Sequence, residues 1–239
     1  MMSNQHGPEG EHRGRSRVAL QAMRSNVQPG SFPLLLVASL LLYVLNGLAV
    51  DLPAHAILGR VAVACAGLYV LSASRPTLWL GVLVVGLAIT FETRLWALDP
   101  RVSRGLQDAI ITGFLLWVLV VVLRAVFRPS TRELDAVVGA LCGFLLILTV
   151  FTRVHGLIEA VRPDSYRTEG PVFSESSDAT VVASFQYFST ITLTTVGFGD
   201  IVPVTPVARL VTGLEAMVGQ LYLAVVIATL VGRVAARRA

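Results

Sequence analysis

Long apolar runs separated by short polar breaks organise this chain. Residues 33–50, 54–73, 76–91, 108–127, 134–152 and 207–232 are each predominantly apolar. A membrane-crossing helix needs about 20 such residues, so the pattern predicts six spans, the third of them short. Between the fifth and sixth the pattern changes. Residues 153–180, "RVHGLIEAVRPDSYRTEGPVFSESSDAT", are polar and rich in Pro, Gly and Ser, and predict an exposed loop. "VVASFQYFSTITL", 181–193, is apolar and hydroxyl-rich but too short to cross a bilayer, which predicts a half-span that enters and returns on one side. "TTVGFGD" at 194–200 follows at once and fits neither a helix nor a strand. Such backbone cannot face lipid, because its amides and carbonyls would find no partner there. It is expected to line a polar pore.

Composition supports the membrane assignment. The 239 residues are 54% hydrophobic and 14% charged, with mean hydropathy +0.72, which excludes an ordinary soluble domain. Arg13, Arg15, Arg17 and Arg24 precede the first run, Arg75 follows the second, Arg124, Arg128 and Arg132 follow the fourth, and Arg233, Arg237 and Arg238 end the chain. With an even number of spans these flanks share one face, expected to be the cytoplasm, with both termini there. Arg94, Arg101 and Arg104 on the other side are accompanied by Glu92, Asp99 and Asp108. "PAHA" after the first run resembles a signal cleavage site, but the polar leader is longer than a signal's charged region. Cys65 and Cys142 lie in apolar runs, as small buried hydrophobes do, and imply neither a disulfide nor a metal site. No phosphate-binding loop, metal-ligand spacing or hydrolase elbow occurs, so no enzyme activity or cofactor is expected. Nucleic acid is not an expected partner. No cytoplasmic ligand-binding domain is expected in this chain.

The glycine stretch carries a resemblance. "TTVGFGD" resembles the selectivity filter of potassium channels, usually TVGYG, and stands between a half-helix and the last span as it does in that family. The downstream "PVTPVAR" and "GQLYLAVVIA" are similar to small bacterial channels of the two-span pore type. The resemblance, over roughly 135–235, implies an all-α membrane protein of six transmembrane helices. A re-entrant pore helix and filter would lie between helices five and six, and four chains would surround the pore in a homotetramer embedded in lipid of the bacterial inner membrane. The expected organisation is a cytoplasmic tail at 1–30, a four-helix membrane domain at 31–128 and a pore domain at 132–235. By the same resemblance, K+ would be held by carbonyls of Thr195, Val196, Gly197 and Phe198 and by the Thr195 hydroxyl. Gly199 would complete the filter, and Val196 and Phe198 would point into a packed cuff. Asp200 would stand at the outer mouth. Rings of carbonyl oxygens replace the ion's hydration shell, and aiming successive carbonyls at one axis needs backbone that Gly accepts and other residues resist.

Other residues carry weaker expectations. Phe198 replaces the usual Tyr, removing a hydroxyl that braces the filter. Thr194, Ile191 and Glu215 occupy positions of filter support, although Ile191 stands where some bacterial members carry a carboxylate, so that brace is expected to be missing. Glu215, inside the last span, could bond pore-helix hydroxyls such as Ser189 or Thr192, or be a buried structural group; Gln220 could join the same network. Gly219 falls at the gating-hinge position of the pore-lining helix, with close helix packing as the other reading. His155 is expected to be a solvated loop histidine rather than a pH sensor, among loop acids Glu159, Asp164, Glu169, Glu175 and Asp178. The fourth run has six-span channel layout but one Arg near its inner end and another just beyond, too few for a voltage sensor. Passive, weakly voltage-dependent K+ conduction is therefore the expected function. A potassium transporter subunit and a non-conducting regulatory subunit are the alternatives.

Overall fold

The computed structural model describes residues 32–48, 64–67, 69, 79, 82, 100–128, 133–168, 173 and 176–238. Helices α1 (Phe32–Gly47), α2 (Pro100–Val126), α3 (Glu133–Val161), α4 (Asp178–Leu193) and α5 (Pro206–Arg238) are joined by strands β1 (Tyr166–Thr168) and β2 (Ile201–Pro203). Among the described residues, three stretches are long and apolar enough to cross a membrane: Ala109–Val126, Leu134–Val161 and Pro206–Arg233. The protein is therefore a multi-pass membrane protein. The first expected span is the 16-residue apolar helix α1. Spans two and three and the 1–30 tail lie outside the described residues, apart from a few isolated helical positions in the spans.

Local chemistry explains the helix ends. Ser177 is the N-cap of α4, its hydroxyl accepting from the Thr180 amide at 3.3 Å. Thr205 plays that part for α5, accepting from Ala208 at 3.4 Å, and Pro206 fills the first helical position, where no amide partner is needed. Threonines inside the apolar helices turn their hydroxyls back onto carbonyls four residues earlier, as Thr152 does on Leu148 at 2.9 Å and Thr212 on Ala208 at 2.8 Å. Those threonine hydroxyls are thereby satisfied within their own helix.

Helix α3 is the hub. It packs against α2 and α1 along its length and against α4 and α5 on its other flank. One core joins Leu35 and Leu42 of α1, Val118 and Val122 of α2, Cys142 and Leu146 of α3, Leu193 of α4 and Tyr222 of α5. The Cys142 thiol is buried there and donates to the Phe32 carbonyl at 3.3 Å. The first helix thus touches α4 directly: Gln186 Nε2 donates to the Tyr43 carbonyl at 2.8 Å, and the Tyr43 and Thr190 hydroxyls lie 3.3 Å apart. At its other end α5 is tied to α2, since Arg233 donates to the carbonyls of Val126 at 2.7 Å and Arg128 at 2.9 Å.

The structure corrects the loop expected at 153–180. Helix α3 continues past residue 152 to Val161 and carries His155 and Glu159 with it. Both are buried, so neither belongs to a solvated acidic loop. The polar residues among 153–161 broke the apolar run, but tertiary burial keeps them in the helix. Beyond lies a turn at Asp164, with φ 64°, and then the antiparallel pair β1–β2, in which Tyr166 faces Pro203 and Thr168 faces Ile201.

Candidate ion-conduction site

Helix α4 ends in the segment that resembles a filter. Thr194 closes the helix with its amide on Thr190 O, and the Thr195 amide bonds Thr192 O at 3.0 Å. The amides of Val196 and Gly197 both return to a single acceptor, Ile191 O, at 2.8 and 3.1 Å. Ile191 thus holds the segment through its backbone, while its side chain is buried. Past the helix, φ is +60° at Thr195, +55° at Gly197 and +82° at Gly199, with Val196 and Phe198 outside that region. Positive φ suits glycine but costs a β-branched residue about 1–2 kcal/mol, so Thr195 is strained and held by its neighbours.

The side chains of this segment are largely uncovered within one chain. Val196 is 54% exposed and Phe198 70% exposed, so one chain alone does not bury them in a cuff. Phe198 does lie parallel to the Tyr187 ring of α4, the centroids 6.5 Å apart and the planes 2° apart. The Tyr187 hydroxyl stands close enough to interact with Asp200, and that interaction, ahead of burial and the Asp200 charge, pushes its pKa above the usual tyrosine range. Tyr187 of α4 therefore brings a hydroxyl near Asp200, beside a segment whose Phe198 has none. One oxygen of that carboxyl, Asp200 Oδ1, is buried without a partner. From α5, Gln220 Nε2 donates to the Thr195 hydroxyl at 3.4 Å, so Gln220 meets the filter-like segment and not Glu215.

Glu215 is fully buried, and its partner is one that the sequence did not suggest. Its Oε2 lies 2.8 Å from His155 Nε2. Ser189 on α4 stands close enough to interact with the Glu215 carboxyl, although neither Ser189 Oγ nor Glu215 Oε1 completes a hydrogen bond of full geometry. The other nitrogen of the same imidazole, Nδ1, is 2.6 Å from the Tyr166 hydroxyl. Burial above all, and then the Glu215 and Glu159 carboxylates, push that hydroxyl above the usual tyrosine range. Phe185 and Phe188 of α4 and Phe151 of α3 enclose the imidazole, with ring centroids between 5.1 and 6.3 Å.

Gly219 passes against the end of the pore helix. A Cβ there would come within 2.3 Å of the Leu193 carbonyl oxygen, which no side chain shift relieves. The sequence placed Tyr187, His155 and Tyr166 in no site. An aromatic hydroxyl 13 residues before Asp200, one face of a helix away from the filter, is the signal that could have found Tyr187.

Helix α5 is apolar and largely uncovered. Within one chain, 17% of the α5 span is buried, against 50% of the spans in α2 and α3. Leu210, Leu214, Met217, Leu221 and Val225 lie exposed along it. Among the described residues no group of His, Cys, Asp and Glu could hold a metal ion. A family model described as "Ion channel" matches residues 164–236, the stretch from the Asp164 turn through α4, the filter-like segment and nearly all of α5. That stretch is an ion-channel pore domain. No curated protein and no solved structure matches the chain.

Proposed function

We propose that this chain is the subunit of a potassium-selective channel that conducts K+ passively down its electrochemical gradient. The observation that carries the reading is the alternation of positive φ at Thr195, Gly197 and Gly199, with the Val196 and Gly197 amides turned back to Ile191 O. Alternating hands along an extended segment rotate successive peptide planes, so that carbonyls that would alternate in a strand come to one side. Amides tied behind the segment leave those carbonyls for an ion. The ion sites are assigned to Thr195, Val196, Gly197 and Phe198, with Gly199 and Asp200 at the outer end.

One such segment offers a single carbonyl at each level, while a dehydrated cation needs several oxygens at once. Four chains around an axis supply them. The exposed apolar face of α5 and the uncovered Val196 and Phe198 are the surfaces that assembly would bury. The C-terminal end of α4, with its partly negative carbonyls, would then favour a cation below the filter. The Arg-rich flanks support an orientation with both termini in the cytoplasm. The segment 31–128 remains a membrane domain of its own in this reading, with the core shared by α1 and the pore helices as its junction.

The test is the full chain purified and reconstituted in liposomes under mixed K+ and Na+ gradients. A reversal potential close to that of K+ is expected. A reversal potential with no preference between the two cations sinks the reading, and absence of any flux favours a non-conducting subunit.

A further inference from the structure

One imidazole is bonded to both flanks of the pore loop. His155 lies on α3, outside the loop; Nδ1 reaches Tyr166, which precedes α4, and Nε2 reaches Glu215, which follows the filter on α5. Everything between those two contacts, from the start of β1 to two turns into α5, is the pore helix, the filter and the outer mouth. We infer that His155, Tyr166 and Glu215 form a clamp that fixes the distance between the two ends of the pore loop, and so are positioning residues for the filter.

A second set of bonds makes the clamp stiff at the Tyr166 end. Glu159, one turn beyond His155 on α3, accepts the amides of Asp164 at 2.9 Å, Ser165 at 3.0 Å and Tyr166 at 3.2 Å. Tyr166 is therefore held by α3 at both its backbone and its hydroxyl. Ser165 O in turn accepts the Val204 amide at 2.8 Å, and β1 pairs with β2, which begins at the residue after Asp200. The outer mouth is thus linked to α3 through two strands of three residues, too short to be stable without such support.

The chemistry of the cluster fits a positional role better than a stabilising one. His155 and Glu215 are each 0% exposed, Tyr166 is 4% exposed, and aromatic rings close around them. Burying polar groups in an apolar setting costs free energy even when they are paired, and apolar residues of like shape are often as stable or more so. What a hydrogen-bonded group adds is direction: its bonds fail if the elements shift by an ångström, whereas aliphatic packing can slide. A filter whose carbonyls must keep their spacing has a use for that rigidity.

The test uses the full chain in lipid nanodiscs and liposomes, and only its current readout rests on the channel reading. Tyr166→Phe removes one oxygen and leaves the ring; Glu215→Leu removes the other contact; Glu215→Gln can still accept from, or donate to, Nε2. Amide exchange at residues 165–168, 201, 202 and 204 is expected to quicken by roughly tenfold in Tyr166→Phe and in Glu215→Leu, the effect of one lost buried hydrogen bond, and to stay near the parent in Glu215→Gln. In the same variants the K+ over Na+ permeability ratio is expected to fall several-fold, again with Glu215→Gln close to the parent. Parent-like exchange in Tyr166→Phe overturns the clamp. So does faster exchange with an unchanged permeability ratio, which would leave the cluster a structural one only. Should the parent protein itself pass no cation, the channel reading fails and the exchange arm alone decides whether the three residues hold the two flanks together.

Discussion

Thr195 is a β-branched residue at φ +60°, and nothing in its own chemistry favours that conformation. It is kept there by the amide bonds to Thr192 and Ile191 on either side of it. Gly197, two residues on, adopts the same hand at little cost. A Cβ at Gly197 would meet nothing within 4 Å in one chain, so the penalty of Gly197→Ala is conformational and not steric. We expect this variant to insert and assemble but to conduct at under a tenth of the parent rate in liposome flux, since about 1–2 kcal/mol of added strain swings a carbonyl off the axis. Parent-like currents would remove these residues from the filter. The positive φ at Gly197 and Gly199 was legible in the sequence because its constraint is local: two alternating glycines just past a helix accept that hand at little cost. The place of His155 was not, because it owes it to a partner 60 residues along the chain, Glu215; Tyr187 was missed although Asp200 stands only 13 residues on. The polar neighbours of His155 in "RVHGLIEAV" made a loop the natural reading; tertiary burial overrode it.

Among the elements, the long helices were visible as apolar runs and the pore helix as a run too short to span. Their ends were less so. Helix α3 exceeds its apolar run by nine residues, to Val161, and β1 and β2 have three residues each, too few for an alternating pattern to register. Contact between elements sharpens the question of Gly219. The sequence assigns it a hinge, and the structure places Leu193 O where its Cβ would be. Gly219→Ala should therefore force α5 away from α4 and lower stability by about 1–3 kcal/mol, read as a lower midpoint of thermal unfolding in detergent. An unchanged midpoint with an altered open fraction would instead favour the hinge.

For the whole molecule the question is what moves and what assembles. The α2 span holds a single Arg, Arg124, in its last turn, and one charge moved through the full field contributes about 2.3 kcal/mol per 100 mV. Opening is therefore expected to depend only shallowly on voltage, checked by stepped potentials across a planar bilayer; steep activation that disappears in Arg124→Gln would contradict this. The mass of the particle in mild detergent is expected to be four chains, and a dimer or monomer that still conducts would undo the pore assignment. Chain order has a consequence of its own. The carbonyl of Tyr43 on α1 is bonded by Gln186, 143 residues later, and at the usual pace of translation that interval is on the order of ten seconds. During synthesis α1 can pack on α3 as soon as that helix has entered, but its Tyr43 carbonyl and hydroxyl stay without their α4 partners until the end of that interval. The docking of α4 would then be a checkpoint in biogenesis: a nascent chain whose α4 has failed to enter leaves those two groups unmet, open to recognition by quality control before any pore has formed.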